Sequence, residues 1–173
     1  YSKLAESIRE DPSVKSKVII AHVRLSSVGK NLLKNTHPFR LVMDGREYVF
    51  AHNGTVSNYK KLSLGGFSPL GETDSEHLFC HLLARVKDEI RSSWDKRSVK
   101  WLHEYLQLLN QGSTINCILS DGEYVFCYHD MHGYNGLHFV ERRSPFERVK
   151  LADVDWNVDL AEVKHRGMCG IVV

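Results

Sequence analysis

Helical and extended segments come in blocks along this chain and do not alternate, which predicts an α+β fold built on an antiparallel sheet. Three observations carry that expectation. Two amphipathic helical patterns follow one another directly in mid-chain, a hairpin signal comes straight after them, and the strand-like runs are short, apolar and bounded by turn residues. At 173 residues the chain fits one domain with a core of its own.

Leu4 and Ile8, four apart among charged residues, read as the closing turns of a helix that Asp11-Pro12 stops. Val18 to Val23 is apolar and β-branched enough for a buried strand. Arg24 to Pro38 has little periodicity and reads as a long, functional loop. Tyr48 to Ala51 reads as a strand entered from a turn at Asp44-Gly45 and left at Asn53-Gly54. Thr73 and Glu76 form a capping-box pattern, and Phe79, Leu82, Leu83, Val86 and Ile90 give the helix behind it one apolar face. Leu102, Tyr105, Leu106 and Leu109 write a second helix, with Gly112 just beyond its end. Ile115 to Leu119 and Tyr124 to Tyr128 flank Asp121-Gly122, a dipeptide suited to a type I′ hairpin turn. Leu137 to Val140, Val149 to Leu151 and Gly170 to Val173 complete the predicted strands.

The net charge of +2 and pI near 8.4 fall short of a nucleic-acid-binding face. The basic cluster Arg91 to Lys100, interrupted by Asp95, reads as a solvated linker between helices. The four cysteines, Cys80, Cys117, Cys127 and Cys169, lack CxxC spacing, and three lie in apolar patterns, as expected of buried thiols in a reducing compartment. With no bilayer-length apolar run and no signal-peptide block, a soluble cytoplasmic protein is expected, with no membrane or nucleic-acid partner.

Four short motifs carry chemistry-bearing residues: His22-Val23-Arg24, Asn35-Thr36-His37-Pro38-Phe39, Ala51-His52-Asn53-Gly54-Thr55 and Gly71-Glu72-Thr73-Asp74-Ser75-Glu76. Each has an ordinary structural explanation: a surface charge, a loop histidine, a turn, a first-turn carboxylate favoured by the helix dipole. Thr55 to Leu62 lacks strand alternation, so Asn53-Gly54 does not simply join two strands. An amide side chain beside a glycine suits an oxyanion hole, where a side-chain NH₂ and a backbone N–H converge on a developing charge. Arg24 offers a fork for a carboxylate and Asp74 an anion for an ammonium, which together would suit a free α-amino acid.

In this order, HVR, NTHPF, AHNGT and GETDSE resemble the class II (N-terminal-nucleophile) glutamine amidotransferases, above all the stand-alone members that include the γ-glutamyl hydrolases of thiol metabolism. Weaker likeness, as at Leu119 to Gly122 and Arg142 to Phe146, extends to about residue 150. The resemblance implies the four-layer α/β/β/α sandwich of the N-terminal-nucleophile hydrolases. It assigns Arg24 to the substrate α-carboxylate, Asp74 to its α-amino group, Asn53 and Gly54 to the oxyanion hole, and His37 to the shape of the nucleophile's pocket. It implies γ-amide hydrolysis of glutamine or a γ-glutamyl compound through a cysteine thioester, with no cofactor and no metal.

The family's nucleophile is an amino-terminal cysteine, and position 1 here is Tyr1. The expectation is therefore a single family domain over 1–173, truncated at both ends, without its upstream nucleophile segment and inactive as it stands. Cys169, in Met168-Cys169-Gly170-Ile171-Val172-Val173, resembles the family's amino terminus and would serve only after a circular permutation. His77 and His81, four apart, have a spacing zinc could use, but no third ligand is in view, and His129, His132 and His138 give an equally weak signal. The leading reading is an amidohydrolase. The alternative is a non-catalytic amino-acid-binding or regulatory module that keeps the pocket without a nucleophile. Oligomeric state is not legible.

Overall fold

Asp44 and Gly45 both adopt positive φ, 51° and 77°, and close a two-residue turn of the primed kind between Met43 and Arg46. The turn joins β1 (Phe39–Met43) to β2 (Arg46–Thr55). The computed structural model describes residues 11, 13, 16–22, 30, 32–90, 93–140 and 170–172. Residues 1–135 and 136–173 form two compact units.

In the first unit, β2 is followed by helix α1 (Asp74–Glu89), helix α2 (Lys96–Asn110), β3 (Thr114–Ser120) and β4 (Val125–Tyr128). The strands form one antiparallel sheet in the order β1-β2-β3-β4. The fold is thus mixed α and β around an antiparallel sheet, as the blocked element order predicts. In the second unit, β5 (His138–Val140) pairs antiparallel with β6 (Gly170–Val172).

Strand alternation sends Tyr48, Phe50, Ile115, Cys117, Leu119 and Tyr128 to one face of the sheet, where they meet Leu78, Phe79, Leu82, Leu83 and Val86 of α1 and Leu102 and Leu106 of α2. Phe50 stacks on Phe79 with ring centroids 5.2 Å apart. Fully burying side chains of this size contributes about 1.5–3 kcal/mol each, and this cluster is the core among the described residues of the unit. The other face carries Val49, Ala51, Asn53, Asn116 and Ile118.

Several expectations need correction. Val18 to His22 is described and is not a strand; Ile19 is 75% exposed, and Val18 and Ile20 instead line a cleft with Val49 and Ser120. The loop expected to run to Pro38 contains a 3₁₀ turn at Leu33–Asn35, and β1, beginning at Phe39, went unpredicted. β2 does not leave the sheet at Asn53-Gly54: both pair with β3, opposite Asn116 and Ile115, and the ladder runs one residue further, to Thr55 opposite Thr114.

Ser120 pairs with Val125, so Asp121 to Tyr124 is a four-residue loop and not a two-residue I′ turn. Asp121 Oδ1 accepts the N–H groups of Glu123 and Tyr124 and makes this wider turn self-sufficient. Asp95, expected within a linker, caps α2: its carboxylate accepts the Ser98 N–H at 2.7 Å while Ser98 Oγ accepts the Asp95 N–H. Cys80 and Cys117 are buried, but Cys127 is exposed, because its register partner Ile118 lies on the face away from the helices. The predicted elements at residues 2–10 and 149–151 lie outside the described residues.

Candidate functional site

The carboxyl end of β2 accounts for its backbone donors in strict alternation. Thr55 N–H donates to Thr114 Oγ1 at 2.8 Å and Ser57 N–H to Ser113 Oγ at 3.0 Å, both toward β3. The even-numbered donors face the opposite edge: His52 N–H reaches His37 Nδ1 at 3.1 Å and Val56 N–H reaches Asp74 Oδ2 at 2.7 Å. The same alternation directs Gly54 N–H to this edge, between the histidine and the aspartate. β1 pairs with β2 only as far as Phe39 opposite Phe50, so the edge at Gly54 lies beyond that ladder.

Gly54 is at φ 153°, and a Cβ there would lie 2.0 Å from Thr114 O and 2.8 Å from His52 Nε2. Only glycine fits this close approach. Asn53 projects its half-buried side chain to the face away from the helices, across from Asn116.

Asp74 is 3% exposed and is the first residue of α1, where the helix dipole favours a negative charge. Thr73 Oγ1 caps the helix by accepting the Glu76 N–H at 3.1 Å. The expected capping box is only half made. Glu76 does not reach back to Thr73; its carboxylate accepts the N–H groups of Leu70 and Gly71 at 2.8 and 2.7 Å and fixes the approach to the helix. Asn35, fully buried, joins the second motif to the fourth by accepting the Glu72 N–H at 2.9 Å and donating to Lys30 O at 2.8 Å. Gly71 leaves the room: a Cβ there would sit 2.3 Å from Asn35 Oδ1.

His52, 3% exposed, lies under this arrangement. Its Nε2 faces Thr114 O at 3.1 Å and its Nδ1 faces Ser75 Oγ at 2.9 Å. A carbonyl only accepts, so the proton is on Nε2 and Nδ1 accepts from the serine hydroxyl. Burial lowers the His52 pKa and holds the ring neutral. His37 accepts through Nδ1, and its ring stacks on that of His22 with centroids 4.4 Å apart.

Below the site, Asp130 anchors the start of β3. Its carboxylate accepts Ile115 N–H and Asn110 Nδ2 at 2.7 Å each, His132 N–H at 2.9 Å and Tyr134 N–H at 3.2 Å. Burial alone would raise its pKa, but these donors outweigh it and hold the group at about 2.

Of the residues singled out in the sequence, His37, Asn53, Gly54 and Asp74 therefore converge on one end of β2. Arg24 and Cys169 lie outside the described residues. Burial pushes the Cys80 thiol up to about 11 and raises that of Cys117, so neither favours the thiolate that nucleophilic attack needs. His77 and His81 turn their rings to loop carbonyls, Leu62 O at 3.2 Å and Ser63 O at 2.6 Å, and His81 Nε2 also accepts from Tyr105. Among the described residues, no group of three histidine, cysteine or acidic side chains is placed to hold a metal ion, and no helix is long and apolar enough to cross a membrane. The roles of Asn35, Ser75 and Thr114 were missed, and Glu76 was assigned to a capping box that it does not make. Asn35 and Ser75 stood inside the motifs, and only their burial marks them out.

The end of β2 thus carries a backbone donor edge beside a buried carboxylate, which can present a donor and an anion together. The sequence pattern of the class-II glutamine amidotransferases matches residues 1–173, and the chain belongs to that family. An uncharacterised protein of Methanocaldococcus jannaschii is 43% identical over 171 residues, covering 98% of this chain and 47% of that protein. YafJ of Escherichia coli K12, provisionally named a glutamine amidotransferase, is 37% identical over 162 residues, covering 92% of this chain and 62% of its own length. The chain thus spans about half the length of the first of these relatives and about three-fifths of the second. The crystal structure of a predicted glutamine amidotransferase from Pseudomonas aeruginosa PA01 superposes with a TM-score of 0.61 at 33% identity, covering 71% of this chain and 47% of that one.

Proposed function

We propose that residues 1–173 are the substrate-binding and oxyanion-stabilising part of one amidohydrolase domain, acting on the γ-amide of glutamine or of a γ-glutamyl compound. The observation that carries this reading is the row of donors on the free-running edge of β2. The N–H groups of His52 and Val56 are spent on His37 and Asp74, and by strand alternation Gly54 N–H is directed to the same edge between them.

Gly54 N–H and the Asn53 amide stabilise the tetrahedral oxyanion. Asp74 takes the substrate ammonium and Arg24 its α-carboxylate, with His37 shaping the pocket. A cysteine at the amino terminus of the mature protein attacks the γ-carbonyl through sulfur, and its own α-amine passes the proton to the leaving ammonia or amine. Water then attacks the thioester and releases glutamate and the thiol. Since Arg24 and Asp74 read only the α-amino-acid end, the reading covers glutamine and γ-glutamyl compounds alike.

The domain is proposed as the four-layer α/β/β/α sandwich. Both helices cover one face of the sheet, and the other presents Val49, Ala51 and Ile118, with Ala51 already buried, as the inner face of a second layered pair would.

Glutamate release from glutamine by the full-length protein tests the reading. Asn53→Ala should lower kcat about 10²- to 10³-fold with little change in KM, as for loss of one oxyanion donor. Unchanged kcat in a folded variant sinks the assignment. Turnover that disappears on Cys169→Ala would give the nucleophile's role to Cys169. Saturable glutamine binding with no turnover would favour the binding module.

A further inference from the structure

We propose that His52 is a positioning residue for this reaction: its imidazole, held between the Ser75 hydroxyl and the Thr114 carbonyl, sets the distance from the oxyanion donors at Asn53 and Gly54 to the carboxylate of Asp74. The inference rests on the glutaminase reading and adds a role for a side chain that touches no substrate.

His52 immediately precedes the donor pair, and Ser75 immediately follows the ammonium reader. One side-chain hydrogen bond of 2.9 Å therefore ties the strand that carries the donors to the helix that carries the reader. The other described polar link between these segments, Val56 N–H to Asp74 Oδ2, uses the reader itself. His52 Nε2 meanwhile holds Thr114 O at 3.1 Å, the same oxygen that a Cβ at position 54 would strike, so the ring braces the backbone on which the Gly54 donor sits.

An apolar side chain in this space against Phe50 and Cys117 would leave the buried Ser75 hydroxyl and the Thr114 carbonyl without this partner. The imidazole is the group that supplies a donor at one end and an acceptor at the other, across the distance that separates β3 from α1. A bond between two elements that each carry half of a catalytic constellation acts on its geometry, and misplacement there is felt in turnover more than in binding.

The test compares Ser75→Ala, His52→Gln and their double variant in the full-length protein, with Asn53→Ala and Asp74→Asn alongside and thermal midpoints recorded for all. Ser75→Ala removes the hydroxyl. His52→Gln retains a donor for Thr114 O and loses the acceptor that faces Ser75. Each single change should lower kcat for glutamine about ten- to a hundred-fold with KM shifted less than about threefold. The double variant should be no worse than the more impaired single one, because both break the same link.

Ser75→Ala with kcat within about twofold of wild type, while Asn53→Ala and Asp74→Asn are impaired, would overturn the inference and leave His52 a satisfied core histidine. Additive losses in the double variant would overturn it as well. If Asn53→Ala and Asp74→Asn also turn over normally, the glutaminase reading itself has failed and the inference falls with it. Because Ser75→Ala alone decides the first arm, a folding defect in His52→Gln does not obscure the result.

Discussion

Asp74 has two roles to separate, acceptor for the Val56 N–H and proposed reader of the substrate ammonium. Asp74→Asn preserves the first, because the amide oxygen can turn to Val56, and removes the charge that the second requires. Stability should change by at most about 1 kcal/mol, the scale of a helix-dipole contact. kcat/KM on glutamine should fall roughly thirty-fold to several-thousand-fold, as for loss of one partner of a desolvated charged pair. Steady-state kinetics beside thermal melts separate the two, and unchanged kinetics would return Asp74 to the helix alone. The buried histidines add a pH dependence. Burial lowers the pKa of both His52 and His81, so the folded protein resists protons that the unfolded chain accepts near the ordinary value of 6.5. Stability from both is present above that value and is lost as pH falls below it. Melts between about pH 7 and 5 should show a falling midpoint, with a shallower slope in His81→Gln.

At the scale of elements, the Asp130 knot holds the start of β3, the end of α2 and the loop beyond β4 in one buried network. Asp130→Asn turns an NH₂ group toward N–H donors that need acceptors, and should cost about 2–4 kcal/mol in denaturant melts. The folded pKa near 2 lies below the unfolded 3.8, so the stability it contributes is fully present above about pH 4. Acidification from there toward pH 2 should remove about 2 kcal/mol in wild type and much less in Asp130→Asn. Equal acid sensitivity in the two proteins would show that the knot is not the titrating element. Elements with long periodic patterns were legible in the sequence: α1 declares one apolar face and its Thr73 cap, and α2 one apolar face, although its Asp95 cap was read as linker. β1 was not: the Asp44-Gly45 turn was read as the entry to β2, but Phe39 to Met43, interrupted by Arg40, shows no clear alternation, and only its pairing with β2 marks it as a strand. The hairpin loop was mistaken for a two-residue turn because Asp-Gly suits both, and the register of Ser120 with Val125 decides between them.

The whole-molecule question is what lies over the second face of the sheet. In a four-layer sandwich, Ile118 faces another sheet, and Ile118→Asp should destabilise by about 2–4 kcal/mol, the cost of burying a charge in place of an apolar side chain. On a face open to water the same change should stay within about 0.5 kcal/mol, an outcome that would remove the second layer from the proposal. The sequence by itself determined the class of fold and the family and brought forward the motifs that hold His37, Asn53, Gly54 and Asp74, because periodicity, capping and ordered motifs are local properties of the chain. Only the tertiary structure decided that His37 and Asp74 flank Gly54 on one edge of β2, that Asn35, Ser75 and Glu76 serve as the fasteners between motifs, and which proton His52 carries. Those facts depend on strand register and on which buried polar groups find each other across tens of residues, and a linear chain does not encode such pairings in any spacing that can be read before it folds.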